Sequence, residues 1–365
     1  MAGAAQVSAW DTEGASGRCR PAPTVQGVTE GRSLPGTVAP SVGTVRAILL
    51  LVHASDVPPD ESVAGPQAQF DAASAWLRAV SYGRLDLRAE TLPRWLSLPL
   101  TSREYLADGA QLLRDAVAAA DPFVDFSRYD IVYLAPASKT PETATSAILN
   151  SFGARADGRE VRFWVPFDAG FAAPDNDLPS LLLHETGHLL GLPDLYRVGV
   201  PGSFHRWDLM TGPGRWPMEL LAWHRWKLGW LGGRQVVCIV GRRTSVATIS
   251  PLERPGGVKA VFVKADDDRV IAVEVRARLG YDATLCETGV LAYQVDQTPF
   301  RRSPVRIYAA QSDERPPRGG CGGTWNAPFD RARGEVRTLR FPGFRLDVLA
   351  RLRDGSYRVR VSTER

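Results

Sequence analysis

The stretch His184-Glu185-Thr186-Gly187-His188-Leu189-Leu190-Gly191-Leu192-Pro193-Asp194 constrains this chain more than any other part of it. Residues four apart share one face of an α-helix, so His184 and His188 can aim imidazole nitrogens at a single metal ion. Glu185 then sits beside the pair, placed to take a proton from a water activated by that metal. Gly191 can adopt a left-handed conformation without a Cβ penalty, ending the helix and returning the chain toward the metal with Asp194 as a third, anionic ligand. Three protein ligands leave a tetrahedral ion one open position, the catalytic rather than the structural arrangement. The expectation is one catalytic Zn2+ held by His184, His188 and Asp194.

A bare His-Glu-x-x-His is a weak signal; the Gly and Asp at their places in the extension make it a strong one. The plainer reading is a core helix with two satisfied histidines. It is disfavoured because the chain has only five His and two of them fall at ligand spacing. Leu181, Leu182, Leu183, Leu189 and Leu190 supply the apolar faces of the buried helix such a site needs.

Downstream, Arg206-Trp207-Asp208-Leu209-Met210-Thr211-Gly212 precedes Pro217-Met218-Glu219-Leu220-Leu221-Ala222-Trp223-His224-Arg225-Trp226-Lys227-Leu228-Gly229-Trp230. Together with the extended motif running on into Leu195-Tyr196, these segments resemble the immune inhibitor A family of secreted zinc metallopeptidases. Val80-Ser81-Tyr82-Gly83-Arg84-Leu85 and Asp125-Phe126-Ser127-Arg128-Tyr129-Asp130 resemble further parts of that family's catalytic domain, so the likeness spans residues 45–232. It implies a metzincin-like zinc endopeptidase acting on protein or peptide, with His184 and His188 as ligands, Glu185 as general base and Met210 in a turn beneath the metal.

The third ligand has two candidates. Asp194 matches the motif position and is preferred; Glu219 is the rival, because other zinc peptidases draw a Glu ligand from a later helix. Glu219 also reads simply as an acid in the first turn of a helix. The family pattern is broken where some metzincins keep a Tyr two residues after the turn methionine, since Gly212 stands there. Tyr196, His205 and His224 are the candidates for stabilising an oxyanion in its place. Two other readings stay open: a zinc amidase acting on cell-wall peptides, and a catalytically silent, zinc-stabilised recognition module. Retention of Glu185 argues against the second, since binding alone has no use for a base beside the metal.

With 365 residues and 44% hydrophobic content the chain can bury two cores. Residues 1–43, rich in Gly, Pro, Ser and Thr, read as a flexible arm; residues 44–232 as the catalytic domain; residues 233–365 as a β-rich C-terminal domain. Within the catalytic domain the pattern predicts strands at Val45–His53, Leu85–Leu87, Trp95–Leu98, Ile131–Leu134 and Val161–Val165, and helices at Gln67–Ser81 and Leu106–Ala120. The fold class is therefore α/β, or α+β, zincin-type, with the active-site helix beneath the sheet. After Leu231, seven short β runs (Val236–Ile239, Val246–Ile249, Ala260–Val263, Val270–Val275, Val290–Val295, Leu346–Leu349 and Tyr357–Val361) predict a sandwich-like domain.

The net charge of +4 is spread through interspersed acids and bases, which excludes nucleic acid as an expected partner. Asp266, Asp267 and Asp268 invite a Ca2+ reading, but the loop spacing and its Gly are missing, so they read as a solvated hairpin turn. Trp207, Trp216, Trp223, Trp226 and Trp230, half of the ten tryptophans, read as an aromatic core around the methionine turn. Cys19, Cys238, Cys286 and Cys321 form no Cys-x-x-Cys pair; in an exported protein Cys286 with Cys321 is the first choice of disulfide. No apolar run is long enough for a membrane span or a complete signal peptide, although Ala2-Gly3-Ala4 resembles a cleavage site. The expectation is a secreted monomer.

Overall fold

A computed structural model describes residues 14–19, 28–34, 36–63, 65–141, 148–149, 154–167, 179–196, 205–212, 218–296, 304–308, 328–329, 338–341 and 343–363. It is a mixed α+β protein with more strand than helix. By contacts it forms two compact units, one built on residues 36–191 and the other on residues 1–35, 192–212 and 218–365. No described helix is long and apolar enough to cross a membrane.

The first unit holds a five-stranded sheet in the order β2-β1-β3-β7-β4. Its strands are β1 (Gly43–His53), β2 (Leu85–Ser97), β3 (Ile131–Pro136), β4 (Ile148–Leu149) and β7 (Phe163–Pro166); β5 (Arg155–Ala156) and β6 (Arg159–Glu160) form a separate hairpin. β1 runs parallel to both β2 and β3, and β3 parallel to β7, while β4 closes the edge antiparallel to β7. A parallel sheet is covered on both faces, which is why β1 reads as an unbroken apolar run. Leu50, Val52, Val132, Leu134 and Trp164 face one core with Leu113, Ala116 and Val117. α1 (Gly65–Val80) buries Phe70, Ala73, Trp76, Leu77 and Val80 at helical spacing, and Phe70 meets Tyr133 of β3 with ring centroids 5.1 Å apart.

Two elements differ from expectation. Leu85–Leu87 and Trp95–Leu98 belong to one long β2, whose register against β1 jumps between Leu49 and Leu51 as the chain passes Pro93. Proline cannot donate to the ladder and is tolerated here because β2 is an edge strand. The helix expected over Leu106–Ala120 is two, α2 (Ser102–Ala107) and α3 (Gly109–Ala120). Asp108 divides them: it ends α2 and its carboxylate accepts the Gln111 N–H at 3.0 Å, starting α3 afresh. α2 itself opens on a capping box between Thr101 and Glu104.

The second unit holds two sheets. β8 (Val236–Ile239), β10 (Ala260–Lys264), β11 (Arg269–Arg276), β12 (Gly289–Asp296) and β13 (Val305–Tyr308) form one, in the order β13-β12-β11-β10-β8. β9 (Thr244–Ile249), β14 (Thr338–Phe341), β15 (Phe344–Arg351) and β16 (Tyr357–Thr363) form the other, in the order β14-β15-β16-β9. All seven expected runs are strands, β13 and β14 being additional. Val261, Val273 and Ala292 from the first sheet and Leu346, Val359 and Val361 from the second lie in one apolar cluster. Gly289, at φ 139°, opens β12 where an added Cβ would stand 2.8 Å from the Phe329 carbonyl oxygen, so the bridge between Val290 and Phe329 requires glycine there. The acidic turn joins β10 to β11, with Asp266 accepting the backbone N–H groups of Asp268 and Arg269.

Residues 218–232, expected with the catalytic domain, group with these sheets. Trp223 and Trp226 of α5 (Ala222–Lys227) pack on Phe262 of β10 at 5.4 and 5.0 Å, and the Trp223 N–H donates to the Tyr293 hydroxyl. Trp207 and Trp230 are also fully buried, as the aromatic-core reading expects; Trp216 lies outside the described residues. The flexible-arm expectation for residues 1–43 needs correction within the described part. Cys19 is disulfide-bonded to Cys238 across 219 residues, and Glu30 is buried. Cys286 is also disulfide-bonded; its expected partner, Cys321, lies outside the described residues.

Candidate functional site

α4 (Pro179–Leu189) carries the motif. Pro179 suits its first turn, where a missing N–H costs nothing and φ is already helical. Leu182, Leu183 and Leu189 are buried, and so are His184 and Glu185. Thr186 fixes the helix to the sheet: its hydroxyl donates to the Leu182 carbonyl at 2.7 Å and accepts from the Tyr133 hydroxyl at 2.8 Å. The Tyr133 ring is wholly buried, which raises its pKa and keeps the phenol a neutral donor. The far end of the helix is held by Ala39, whose N–H donates to the Leu189 carbonyl at 2.8 Å.

Beyond Leu189 the chain turns as its glycine allows. Gly191 has φ 99° and donates its N–H to the His188 carbonyl at 2.9 Å. His184, His188 and Asp194 each bring a ligand atom within 4.8 Å of those of the other two. The two imidazole rings stand edge to face, 4.8 Å between centroids. His184 is buried, His188 half-buried and Asp194 exposed, a gradient from protein interior to solvent. Two imidazoles and one carboxylate, close enough to share an ion and open on one side, are a donor set that fits Zn2+.

Met210 lies in a buried 3-10 turn, Leu209–Thr211, and its carbonyl accepts the Leu195 N–H at 2.8 Å, tying the turn to the residue after Asp194. Asp208 organises that turn: one carboxylate oxygen accepts the Met210 N–H at 2.8 Å, the other the Leu221 N–H at 2.7 Å. The second oxygen also lies 2.7 Å from His224 Nδ1, while His224 Nε2 is 3.2 Å from Glu30. Glu30 in turn accepts from the Trp223 indole at 2.9 Å. Burial opposes a charge on His224, but the Asp208 and Glu30 carboxylates outweigh it and push its pKa up to about 9. Burial likewise works against ionisation of Asp208, yet His224 and the two backbone donors hold its pKa below the ordinary range.

His224, one of the three oxyanion candidates, is therefore a buried cation committed to two carboxylates. His205 is different. Burial pulls its pKa down to about 4, its Nδ1 accepts the Trp207 N–H at 3.3 Å, and its buried Nε2 has no hydrogen-bond partner among the described residues. Tyr196 is half-buried.

Glu219, the rival third ligand, has a different partner. It is buried and ion-paired with Arg225, and burial raises its pKa against the pull of that guanidinium. It joins a larger set of buried charges in which Arg276 reaches Asp282 at 2.6 Å, Glu274 at 3.1 Å and Glu253 at 3.5 Å, and donates to the Trp207 carbonyl at 2.7 Å. Sequence reasoning missed the structural roles of Asp208 and Glu30. An Asp two residues before a turn methionine is a readable cap signal; nothing near Glu30 in sequence points to residues 223 and 224.

No family model matches the chain, and no curated protein matches it. Among solved structures, metalloproteinase-II from Bacteroides fragilis superposes with a TM-score of 0.31 and 17% identity, over 55% of this chain and 58% of that one. The chain thus spans little more than half of that neighbour's length, and so loose a likeness bears on neither fold nor chemistry.

Proposed function

We propose that this chain is a zinc-dependent endopeptidase, in which His184, His188 and Asp194 hold the ion and Glu185 is the general base. The observation that carries the reading is the convergence of those three side chains, at motif spacing, within 4.8 Å. When bound, Zn2+ supplies Lewis acidity, acidifying a water toward a pKa of about 7 and polarising a carbonyl. Glu185, the residue after the first ligand on the same helix, accepts the proton of the attacking water at its carboxylate and delivers it to the leaving amine. Burial of Glu185 limits competing hydration of that carboxylate. Met210 and its Asp208 cap form the floor that holds the chain after Asp194. The resemblance to immune inhibitor A peptidases supports a metzincin-like reading, in which the two sheets of the second unit form a β-sandwich. The disulfide bonds at Cys19, Cys238 and Cys286 support an extracellular setting, where such bonds persist.

The test is metal content and chelation. The purified protein is expected to hold close to one zinc per chain and to cleave an unfolded protein substrate, losing that cleavage to a chelator and recovering it with added zinc. A protein without zinc after expression in zinc-replete medium contradicts the assignment; zinc with cleavage of muropeptides alone transfers it to a cell-wall amidase.

A further inference from the structure

Asp208 meets its turn through the backbone: its carboxylate oxygens accept the N–H groups of Met210 and Leu221, at 2.8 and 2.7 Å. Behind it the chain adds a buried imidazole and a second buried carboxylate. His224 Nδ1 lies 2.7 Å from Asp208, and His224 Nε2 lies 3.2 Å from Glu30, which is 1% exposed and 194 residues away in the sequence. Replacing a buried ionic set by apolar side chains of similar volume is often neutral or stabilising, so stability alone does not account for this one. What such a set supplies is one fixed geometry, and here the geometry is that of the Met210 turn.

Glu30 is itself anchored. Its second oxygen accepts the Trp223 indole N–H at 2.9 Å, and the Lys227 ammonium donates to the carbonyl of the neighbouring Thr29. Trp223, His224 and Lys227 all belong to α5, so residues 29 and 30 are clamped to one helix. Upstream in the chain, Cys19 is disulfide-bonded to Cys238 of β8. The line from Glu30 runs through His224 and Asp208 to the Met210 turn, and the Met210 carbonyl accepts the N–H of Leu195, the residue after Asp194, at 2.8 Å. Every residue on that line lies in the second unit.

We propose that Glu30 is a positioning residue for the zinc site: through His224 and Asp208 it holds the Met210 turn where Leu195 fixes the chain at Asp194. The inference rests on the zinc-peptidase reading, in which Asp194 is a ligand. Glu30 acts on the ion only through these residues. Without it His224 loses one of the two carboxylates that hold its ring, Asp208 loses a fixed partner, and Asp194 is less well placed to bind.

Zinc affinity, measured by competition with a chelator, and the visible absorption of the Co2+-loaded protein test it on the full chain. Glu30→Ala is expected to weaken zinc binding about tenfold, the lower end of what losing a residue behind a metal ligand costs. Glu30→Gln, whose amide still meets both partners but carries no charge, weakens it by a smaller, measurable factor, and carries the test alone where Glu30→Ala fails to fold. Both variants shift the Co2+ absorption bands, which report the ligand arrangement in the folded protein. Val359→Ala, in the apolar cluster of the same unit, lowers stability and leaves zinc affinity and the bands unchanged. With zinc binding abolished by His188→Ala, unchanged affinity and bands in the Glu30 variants, or an equal loss in Val359→Ala, overturn this proposal and leave the metal site standing. Zinc binding that survives His188→Ala overturns the metal-site reading and this proposal with it.

Discussion

The two units bury charge in opposite ways. Among the described residues of the first unit, the only buried Asp, Glu, His, Lys or Arg side chains are His184 and Glu185, neighbours on one helix. The second buries His205, Lys227, Lys259 and Asp347 and, beside them, Glu30, Asp208, Glu219, His224, Arg225, Glu274, Arg276 and Asp282, which are joined into ion pairs and hydrogen bonds with one another. Taking a charge out of water is costly, and a buried pair recovers that cost only through good geometry with its partner. In the second unit the joined charges serve the fold, since each stabilises the burial of another. In the first, an otherwise apolar sheet and its helices place two ionisable groups side by side on α4. That concentration is what the proposed site rests on.

The sharpest way to break this contrast is to remove one carboxylate from each class. Glu219→Ala strands Arg225 in a buried environment and is expected to cost roughly 3–5 kcal/mol of stability by denaturant unfolding, with zinc affinity near normal. Asp194→Ala reverses the pattern: zinc affinity falls by about 100-fold or more, roughly 2.7 kcal/mol, while the zinc-free protein unfolds much as before. A loss of zinc binding in the Glu219 variant would move the third ligand to that residue and erase the distinction.

A smaller effect reports on the scaffold alone. His224 keeps its proton up to about pH 9 in the folded protein and only to about 6.5 unfolded, so its contribution is complete below pH 6.5 and is lost as pH rises toward 9. Lys227 and Lys259, held down at about 8 by burial, act in the opposite direction above pH 8, where deprotonation relieves their cost. The window that excludes the two lysines is therefore pH 6.5 to 8, over which His224 is expected to lower stability by roughly 1–2 kcal/mol. Unfolding of His224→Gln across the same window checks it; an equal slope in that variant would assign the pH dependence elsewhere.

Much of this was legible in the sequence because it is local. His184, His188, Gly191 and Asp194 lie within eleven residues, and helix geometry with one left-handed turn suffices to bring them together. The strands of the second unit were readable from apolar runs bounded by turns, with the edges off by a residue or two. The single β2 was not, because Pro93 interrupts the pattern without ending the strand. The division of α2 from α3 was missed because the apolar spacing of Leu106, Leu113 and Val117 continues across Asp108. Order in the N-terminal segment was invisible for a different reason. Its anchors, Cys19 to Cys238 and Glu30 to Trp223 and His224, join residues some two hundred positions apart, and no periodicity announces them. Glu219 was ambiguous because an acid at the start of a helix looks the same whether it faces a metal or Arg225.

The most direct test of the central claim compares Glu185→Gln with the unaltered protein, measuring zinc content and cleavage of an unfolded protein in the same preparations. Glu185 is assigned as a base and not as a ligand, so the substitution keeps the shape and the zinc but leaves nothing to accept the water's proton. The account predicts unchanged zinc and a fall in turnover of at least about 100-fold. Equal cleavage by the two forms, at equal zinc content, would contradict it.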